Sequence, residues 1–310
     1  MMVTAALLLL GALTAVLAPR LLVRIEWSDR EPVVALWVWQ CVVAAVLLCC
    51  ALSMTLSAAA AWQAVRGHVF APAPRAVVDA YALGAAGPWA AATAVALACA
   101  GLWSAAMLLC EVLRAAARRG RRRAELLVRA PLLPGEEPGE QLVLLEGERP
   151  DAWWLPGTAP QLVVTTAALR RLKGRRLDAV LAHEQGHARA RHDWLLHCSA
   201  ALAAGFPQVP VFAAFRVEMH RLVELAADDT ASRRVGRLTT ALALVELNED
   251  RGVFGPAPTP QAHVPQRVHR LLAPPDRLSA MRRLRLTATA ALVPALPVLV
   301  AFVPGLRALG

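Results

Sequence analysis

Four long apolar stretches dominate the pattern of hydrophobic and polar positions along the chain. A helix needs about 20 apolar residues to cross the hydrocarbon layer of a bilayer. The first stretch covers residues 3–18 and reaches 22 if the helix continues past Pro19 and Arg20. The others cover residues 33–60, 89–110 and 286–306, and Pro294 and Pro297 predict a kink in the last. The pattern therefore predicts an α-helical membrane protein with four spans.

The segment between the third and fourth spans has a different pattern and is predicted to form a separate domain. Short apolar runs bounded by turn residues predict strands at residues 141–146, 152–155 and 161–166. Helical spacing of apolar residues predicts helices at residues 167–172, 177–196 and 212–233. We therefore predict a mainly α, α+β domain over residues 118–285, between three spans (1–117) and a fourth span with a short tail (286–310).

Composition supports membrane insertion, and positive charge indicates the orientation. The chain is 57% hydrophobic with a net charge of +10, and its densest basic run, RAAARRGRRR at residues 114–123, follows the third span. Because basic loops stay in the cytoplasm, the domain is predicted to be cytoplasmic and both termini to lie outside a plasma membrane crossed several times. The basic run is interpreted as an anchor that touches anionic lipid of the bilayer. No nucleic-acid motif accompanies it, so we predict no direct nucleic-acid partner.

One polar motif within the domain, H-E-Q-G-H, has the spacing of a metal site. His183 and His187 are four residues apart, one turn apart on one face of a helix. Such a pair presents two imidazoles to one metal ion, with Glu184 beside the open coordination position. The motif predicts one Zn²⁺ per chain and Glu184 as general base. The alternative is an amphipathic helix whose polar face contains these residues by chance.

A zinc site needs a third protein ligand, and the stretch E-L-A-A-D at residues 224–228 offers one. This stretch is similar to the glutamate-liganded metalloproteases, where a glutamate on a downstream helix is the third ligand. There, an aspartate four residues later orients a ligand histidine by a hydrogen bond. Glu224 and Asp228 match these two roles. Asp229 competes with Asp228, and Glu218 is a weaker candidate for third ligand.

Three further histidines lie near the motif. His192 is five residues after His187, about 140° around a continuous helix, and is predicted to face away from the metal. His197 is more than two turns further along, too far to share the same ion. His220 precedes Glu224 by about one turn and stays a secondary ligand candidate.

The uncharged segment at residues 194–215 resembles a fifth span in composition. A single crossing would put His187 and Glu224 on opposite sides of the bilayer, and a double crossing needs about 40 residues. The zinc hypothesis therefore requires this segment to dip into the membrane interface or to pack within the domain. Pro207 and Pro210 suit such a break.

The residues of this region resemble a known group of membrane proteases. The stretch from AWWLPG (152–157) to HEQGHARARHDW (183–194), followed by RLVELAADD, is similar to zinc metallopeptidases of the BlaR/MecR type. It is also similar to the HtpX and CAAX-prenyl-protease group. The resemblance implies a zincin-like metalloprotease domain of the gluzincin type that cleaves proteins. It also implies that Ala152, Trp153 and Trp154 lie on an edge strand that pairs with substrate backbone.

The resemblance also implies partners and leaves alternatives open. The implied substrate is a cytosolic transcriptional repressor, and a homodimer is a further expectation. No penicillin-binding domain follows the last span, so beta-lactam sensing is not expected. Candidates for supporting the oxyanion are His263, Arg267 and His269, which faintly resemble an element of the HtpX group. The alternatives are an HtpX-like quality-control protease and a membrane signalling scaffold without catalysis.

Overall fold

The described residues of the N-terminal part of the chain form three long helices. A computed structural model describes residues 2–66, 88–129, 142–148, 150–155, 161–248 and 264–309. The helices are α1 (Met2–Leu22), α2 (Pro32–Arg66) and α3 (Pro88–Arg129). Their segments Met2–Leu22, Pro32–Ala61 and Ala92–Arg118 are long and apolar enough to span a membrane. Helix α1 continues through Pro19, and α3 continues beyond its apolar segment, through the domain boundary predicted at residue 118.

The fourth apolar stretch forms two helices instead of one. Helix α10 (Ala280–Leu292) and helix α11 (Ala295–Leu309) meet at an angle of 43°. The bend falls at Val293 and Pro294, because proline has no N–H to continue the ladder of hydrogen bonds. The predicted kink is therefore present, and the bent pair together has the length and hydropathy of one broken span. Pro297 lies within α11.

A small sheet begins the domain between α3 and α10. Its strands are β1 (Leu142–Leu145), β2 (Ala152–Leu155) and β3 (Gln161–Thr165), in the order β1-β3-β2. Strand β3 pairs in parallel with β1 and antiparallel with β2, so β2 lies at one edge of the described sheet. All three strands fall where the sequence pattern predicts them. Ala152, Leu162 and Val164 bury one face of the sheet against helices of the domain.

Six helices of the domain lie in the described residues. They are α4 (Thr166–Arg171), α5 (Arg175–Arg189), α6 (His192–Gly205), α7 (Pro210–Val235), α8 (Arg237–Asn248) and α9 (Val264–Leu272). The Thr165 hydroxyl caps α4 by accepting a hydrogen bond from the Ala168 N–H. Gly236 separates α7 from α8 with a φ of 93°, a conformation that glycine adopts without steric penalty.

The prediction of one continuous helix over residues 177–196 is wrong. Helix α5 ends at Arg189, and Arg191 adopts the left-handed conformation with a φ of 51° before α6 begins. The break turns the chain so that His192 and Leu195 become buried. Helical spacing alone does not reveal it, because the apolar and polar residues on either side continue a helical pattern.

Helices α6 and α7 form a hairpin that packs against the membrane helices. One buried cluster joins Leu202, Phe212 and Phe215 of the hairpin to Trp39 and Val43 of α2. At the tip of the hairpin, Phe206 and Val209 pack against the same cluster, as does Leu108 of α3. Leu108 lies within the apolar part of α3. The segment at residues 194–215 therefore forms the turn and the adjoining parts of a helical hairpin, packed against α2 and α3.

Candidate metal centre

Helix α5 carries the two predicted histidine ligands, and α7 carries the predicted glutamate. The two helices approach closely at Gly186, where an added Cβ would lie 3.3 Å from the Thr230 Cβ and 3.4 Å from the Ala227 Cα. A side chain larger than a methyl group at this position would push α7 away, so glycine favours the close approach that brings Glu224 to the histidines. The hydrophobic faces of both helices are buried, which fixes their relative rotation.

The three predicted ligands converge on one point. Nε2 of His183 lies 3.1 Å from Nε2 of His187. The Glu224 carboxylate places Oε2 3.5 Å from Nε2 of His183 and Oε1 3.4 Å from Nε2 of His187. Ligand atoms of a tetrahedral zinc ion are about 3.3–3.6 Å apart, given bonds of about 2.0–2.2 Å. Both distances to Glu224 lie in this range and the distance between the histidines is slightly shorter, so the three side chains are close enough to share one zinc ion.

Asp228 holds the first histidine from behind. Its Oδ1 lies 3.0 Å from Nδ1 of His183, the ring nitrogen that does not face the ligand cluster. This contact places a proton on Nδ1 and leaves Nε2 free to bind a metal. The Asp228 side chain is 2% exposed. Asp229 makes different contacts, since its carboxylate pairs with Arg270 and Arg277.

Arg267, from α9, joins the two carboxylates of the site. Nε donates to Oδ2 of Asp228 over 2.8 Å, and Nη2 donates to Oδ1 over 2.7 Å. Nη1 lies 2.8 Å from Oε2 of Glu224. The guanidinium is buried, and these three nitrogens contact carboxylates. The sequence named Arg267 as an oxyanion candidate, whereas its contacts favour a role in holding Glu224 and Asp228.

The charges of the site favour a cation. Glu184, Glu224 and Asp228 contribute three negative charges and Arg267 one positive charge, which leaves two negative charges when the histidines are neutral. Burial alone would raise the pKa of Asp228, but the Arg267 guanidinium and the His183 hydrogen bond lower it to about 2. Burial opposes ionisation of Glu224 as well, yet Arg267 and His183 hold its pKa well below the ordinary value. Both carboxylates are therefore ionised near neutral pH.

The two histidines differ in their protonation. Burial would lower the pKa of His183, but the hydrogen bonds and charges of Asp228 and Glu224 raise it to about 10. Burial and the neighbouring His183 lower the pKa of His187 to about 3. Asp228 and Glu224 thus stabilise positive charge between the histidines, and they would stabilise a divalent cation bound there in the same way.

A cavity of about 240 Å³ adjoins the ligands. His183, Glu184, Glu224 and Arg267 line it together with Ala152 of β2. Glu184 therefore faces the same space as the ligands, as its place in the motif predicts. The edge strand β2 borders that space, so an extended peptide added to β2 would pass the metal centre.

Several other predicted residues lie elsewhere. Glu218 pairs with Arg221 and does not belong to the ligand group, while His220 lines the cavity without joining that group. His269 lines a different cavity, which shares only Arg267 with the first among the described lining residues. His263 lies outside the described residues.

The prediction that His192 faces away from the site is wrong. Its Nδ1 lies 3.0 Å from Nδ1 of His187, and its side chain is buried. The error follows from the continuous helix assumed in the sequence pattern, because the left-handed turn at Arg191 rotates His192 towards His187. The sequence offers little signal for this contact, because residues 188–191 between the two histidines are Ala and Arg, which are compatible with a continuous helix.

The chain matches one family of known proteins. The model of Peptidase family M48 matches residues 115–274, more than half of the 310 residues. The chain therefore belongs to peptidase family M48, whose members are zinc metallopeptidases. No curated protein and no solved structure matches the chain. The family confirms the predicted metallopeptidase class, while the BlaR/MecR-type and HtpX-like subgroups both stay predictions.

Proposed function

We propose that this protein is an integral-membrane zinc endopeptidase that hydrolyses peptide bonds of a protein substrate at the membrane surface. The observation that carries the proposal is the convergence of His183, His187 and Glu224 with the spacing of tetrahedral zinc ligands. Family membership supports the reaction class. The packing of the α6–α7 hairpin against α2 and α3 supports placement at the membrane.

The roles of the residues follow from their positions. His183, His187 and Glu224 would hold a zinc ion, which when bound would polarise the scissile carbonyl as a Lewis acid and lower the pKa of a water molecule. The Glu184 carboxylate faces the cavity, so it accepts the proton of the attacking water and returns it to the leaving amide nitrogen. Asp228 and Arg267 keep His183 and Glu224 in place. Substrate backbone pairs with β2, where Ala152 borders the cavity.

We further propose that the metal centre faces the cytoplasm. The short connection between α1 and α2 contacts α7, which carries Glu224, and α9, which carries Arg267. Arg221 Nη2 of α7 donates to the Ser28 hydroxyl over 3.1 Å, and Arg270 Nε of α9 donates to the Asp29 carbonyl over 2.6 Å. This connection and the metal centre therefore lie on one side of the membrane helices. The same side carries Arg24 and Arg30, so the positive-inside rule assigns it to the cytoplasm.

The proposed substrate is a cytosolic transcriptional repressor, which the resemblance to BlaR/MecR-type proteases supports. The broader alternative is quality control of membrane proteins. A Glu184→Gln variant that binds zinc but does not cleave would retain its substrate, so crosslinking in cells followed by mass spectrometry distinguishes the two. One enriched DNA-binding protein supports the regulatory proposal, and a broad set of misfolded membrane proteins supports quality control.

The central test is zinc content by elemental analysis of detergent-purified full chain. Wild type and Glu184→Gln are expected to hold one zinc ion per chain, and His187→Ala to lose it. Wild type is expected to cleave labelled casein, whereas Glu184→Gln and His187→Ala are not. The matched control is His197→Ala, because the His197 ring contacts the Asp193 carbonyl of its own helix and takes no part in the ligand group. A folded wild type that binds no zinc after metal is supplied would contradict the proposal.

A further inference from the structure

The side chain of His192 lies directly behind the ligand His187. Their Nδ1 atoms are 3.0 Å apart, and their rings meet edge to face with centroids 4.9 Å apart. We infer that His192 is a positioning residue, which fixes the tautomer and orientation of His187 by accepting a hydrogen bond from its Nδ1–H. The inference rests on the proposed metal site.

The backbone adopts an unfavourable conformation to make this contact. On a continuous helix His192 would lie about 140° away from His187. Instead the helix stops after Arg189, and Arg191 is the one non-glycine residue with positive φ in the described part of the chain. A left-handed conformation is sterically unfavourable for an ordinary L-residue. Residues held in such conformations cluster at functional sites, where the surrounding structure maintains them.

The chemistry of the contact allows one arrangement when His187 is a ligand. Two ring nitrogens at 3.0 Å need one proton between them, so one donates and the other accepts. Nε2 of His187 faces His183 and Glu224, so in the neutral ring Nδ1 carries the proton. Nδ1 of His192 is then the acceptor. Since Nδ1 and Nε2 lie on opposite sides of the His187 ring, His192 supports the ligand from behind and does not bind the metal.

The two ligand histidines therefore have different partners. His183 donates to the carboxylate of Asp228, whereas His187 donates to a neutral imidazole. A second carboxylate behind His187 would make the site more negative, with three net negative charges instead of two. A neutral acceptor holds the ring and leaves the charge matched to a divalent cation. The burial of His192, at 4% exposure, keeps water from competing for the His187 N–H.

The test compares zinc dissociation constants of detergent-purified full chains, measured by competition with a chromophoric chelator. His192→Phe keeps a ring of similar size but has no acceptor, and His192→Asn places an amide oxygen near the position of Nδ1. We expect His192→Phe to bind zinc about 10- to 100-fold more weakly than wild type, and His192→Asn to recover most of that loss. The matched control is His197→Phe on the same helix, which should bind as wild type does. Thermal unfolding in EDTA verifies that each variant is folded.

Each outcome is decisive. Equal zinc affinity of wild type and His192→Phe would overturn the inference and leave the metal site intact. Equal weakening in His192→Phe and His192→Asn would show that ring packing matters instead of the hydrogen bond, and would also overturn it. If His192→Phe does not fold, His192→Gln replaces it, because the longer side chain carries its amide away from the Nδ1 position. A wild type that binds no zinc would instead contradict the proposed function.

Discussion

At the scale of single residues, the metal centre depends on side chains that support the ligands as much as on the ligands themselves. Asp228 contacts His183, Arg267 bridges Asp228 and Glu224, and His192 contacts His187. Each ligand thus has a buried partner that restricts its orientation. Loss of such a partner typically lowers metal affinity by about one to two orders of magnitude.

Substitution of Asp228 tests this network. Asp228→Ala removes the partner of His183 and leaves the buried Arg267 with a single carboxylate. We expect zinc affinity to fall about 10- to 100-fold and the free energy of unfolding of the metal-free protein to fall by about 3–5 kcal/mol. Chelator competition and unfolding in EDTA measure the two effects. Asp229 forms ion pairs with arginines away from the ligands, so Asp229→Ala should leave zinc affinity unchanged. An equal loss in both variants would argue against Asp228 as the residue that orients His183.

The pH dependence of metal binding follows from His183. Asp228 and Glu224 raise the pKa of His183 to about 10, so the metal-free site carries a proton there at neutral pH, whereas His187, with a pKa of about 3, carries none. Zinc must displace that single proton. We expect zinc affinity to rise about tenfold per pH unit between about pH 6 and 8, with release of one proton per zinc bound. Calorimetry in buffers of different ionisation enthalpy counts the protons, and zero released protons would contradict this assignment.

At the scale of secondary-structure elements, the site is an encounter of two helices whose spacing is set at Gly186. Helix α5 brings the histidines and α7 brings Glu224, and the helices touch through Gly186 and Thr230. The left-handed turn after α5 then allows α6 to leave in a new direction. The geometry of the ligands is therefore a property of the helix pair and not of either helix alone.

A larger side chain at Gly186 should separate the helix pair. Gly186→Leu places a branched side chain against the Ala227 backbone, so we expect Glu224 to move away from the histidines and zinc affinity to fall at least about tenfold. Gly186→Ala should have a smaller effect, since its Cβ requires a shift of only a few tenths of an ångström. The matched control is Gly120→Leu on α3, where no atom lies within 4 Å of an added Cβ. Zinc binding of Gly186→Leu equal to wild type would show that the approach of the helices does not limit the site.

At the scale of the whole molecule, the membrane helices and the peptidase domain share one core. Phe212, Phe215 and Met219 of α7 are buried against Leu36 and Trp39 of α2. The helix that carries Glu224 is therefore held by a membrane helix along part of its length. Because the apolar faces of α2 and α7 bury each other, each face would be exposed if the apolar helices and the domain were separated.

Separation of the domain from the membrane helices tests this shared core. A chain limited to residues 118–285 would expose the α7 face that normally contacts α2, so we expect it to aggregate without detergent and to bind no zinc. In the full chain, Trp39→Ala should lower the free energy of unfolding by about 3–5 kcal/mol, because Trp39 is 2% exposed and lies 6.4 Å from the Phe215 ring. Trp103→Ala is the control, since that ring is 71% exposed. A soluble, zinc-binding domain would show that the shared core is dispensable.

The features that follow from the amino-acid sequence are local ones. The spans follow from apolar length, the three strands from short apolar runs between turns, and the placement of His183 and His187 from the pitch of a helix. The resemblance of E-L-A-A-D to the glutamate-liganded metalloproteases implies Glu224 as third ligand and Asp228 as its partner residue, and the structure places both beside the histidines.

Only the tertiary structure decided how these local pieces support one another. It breaks the predicted helix at Arg191, turns His192 behind His187, and brings Arg267 from a distant helix onto Glu224 and Asp228. It also folds the uncharged segment into a hairpin against α2 and α3 instead of a span. The physical reason is that helix pitch and hydropathy depend on neighbours along the chain, whereas these contacts depend on which buried surfaces meet.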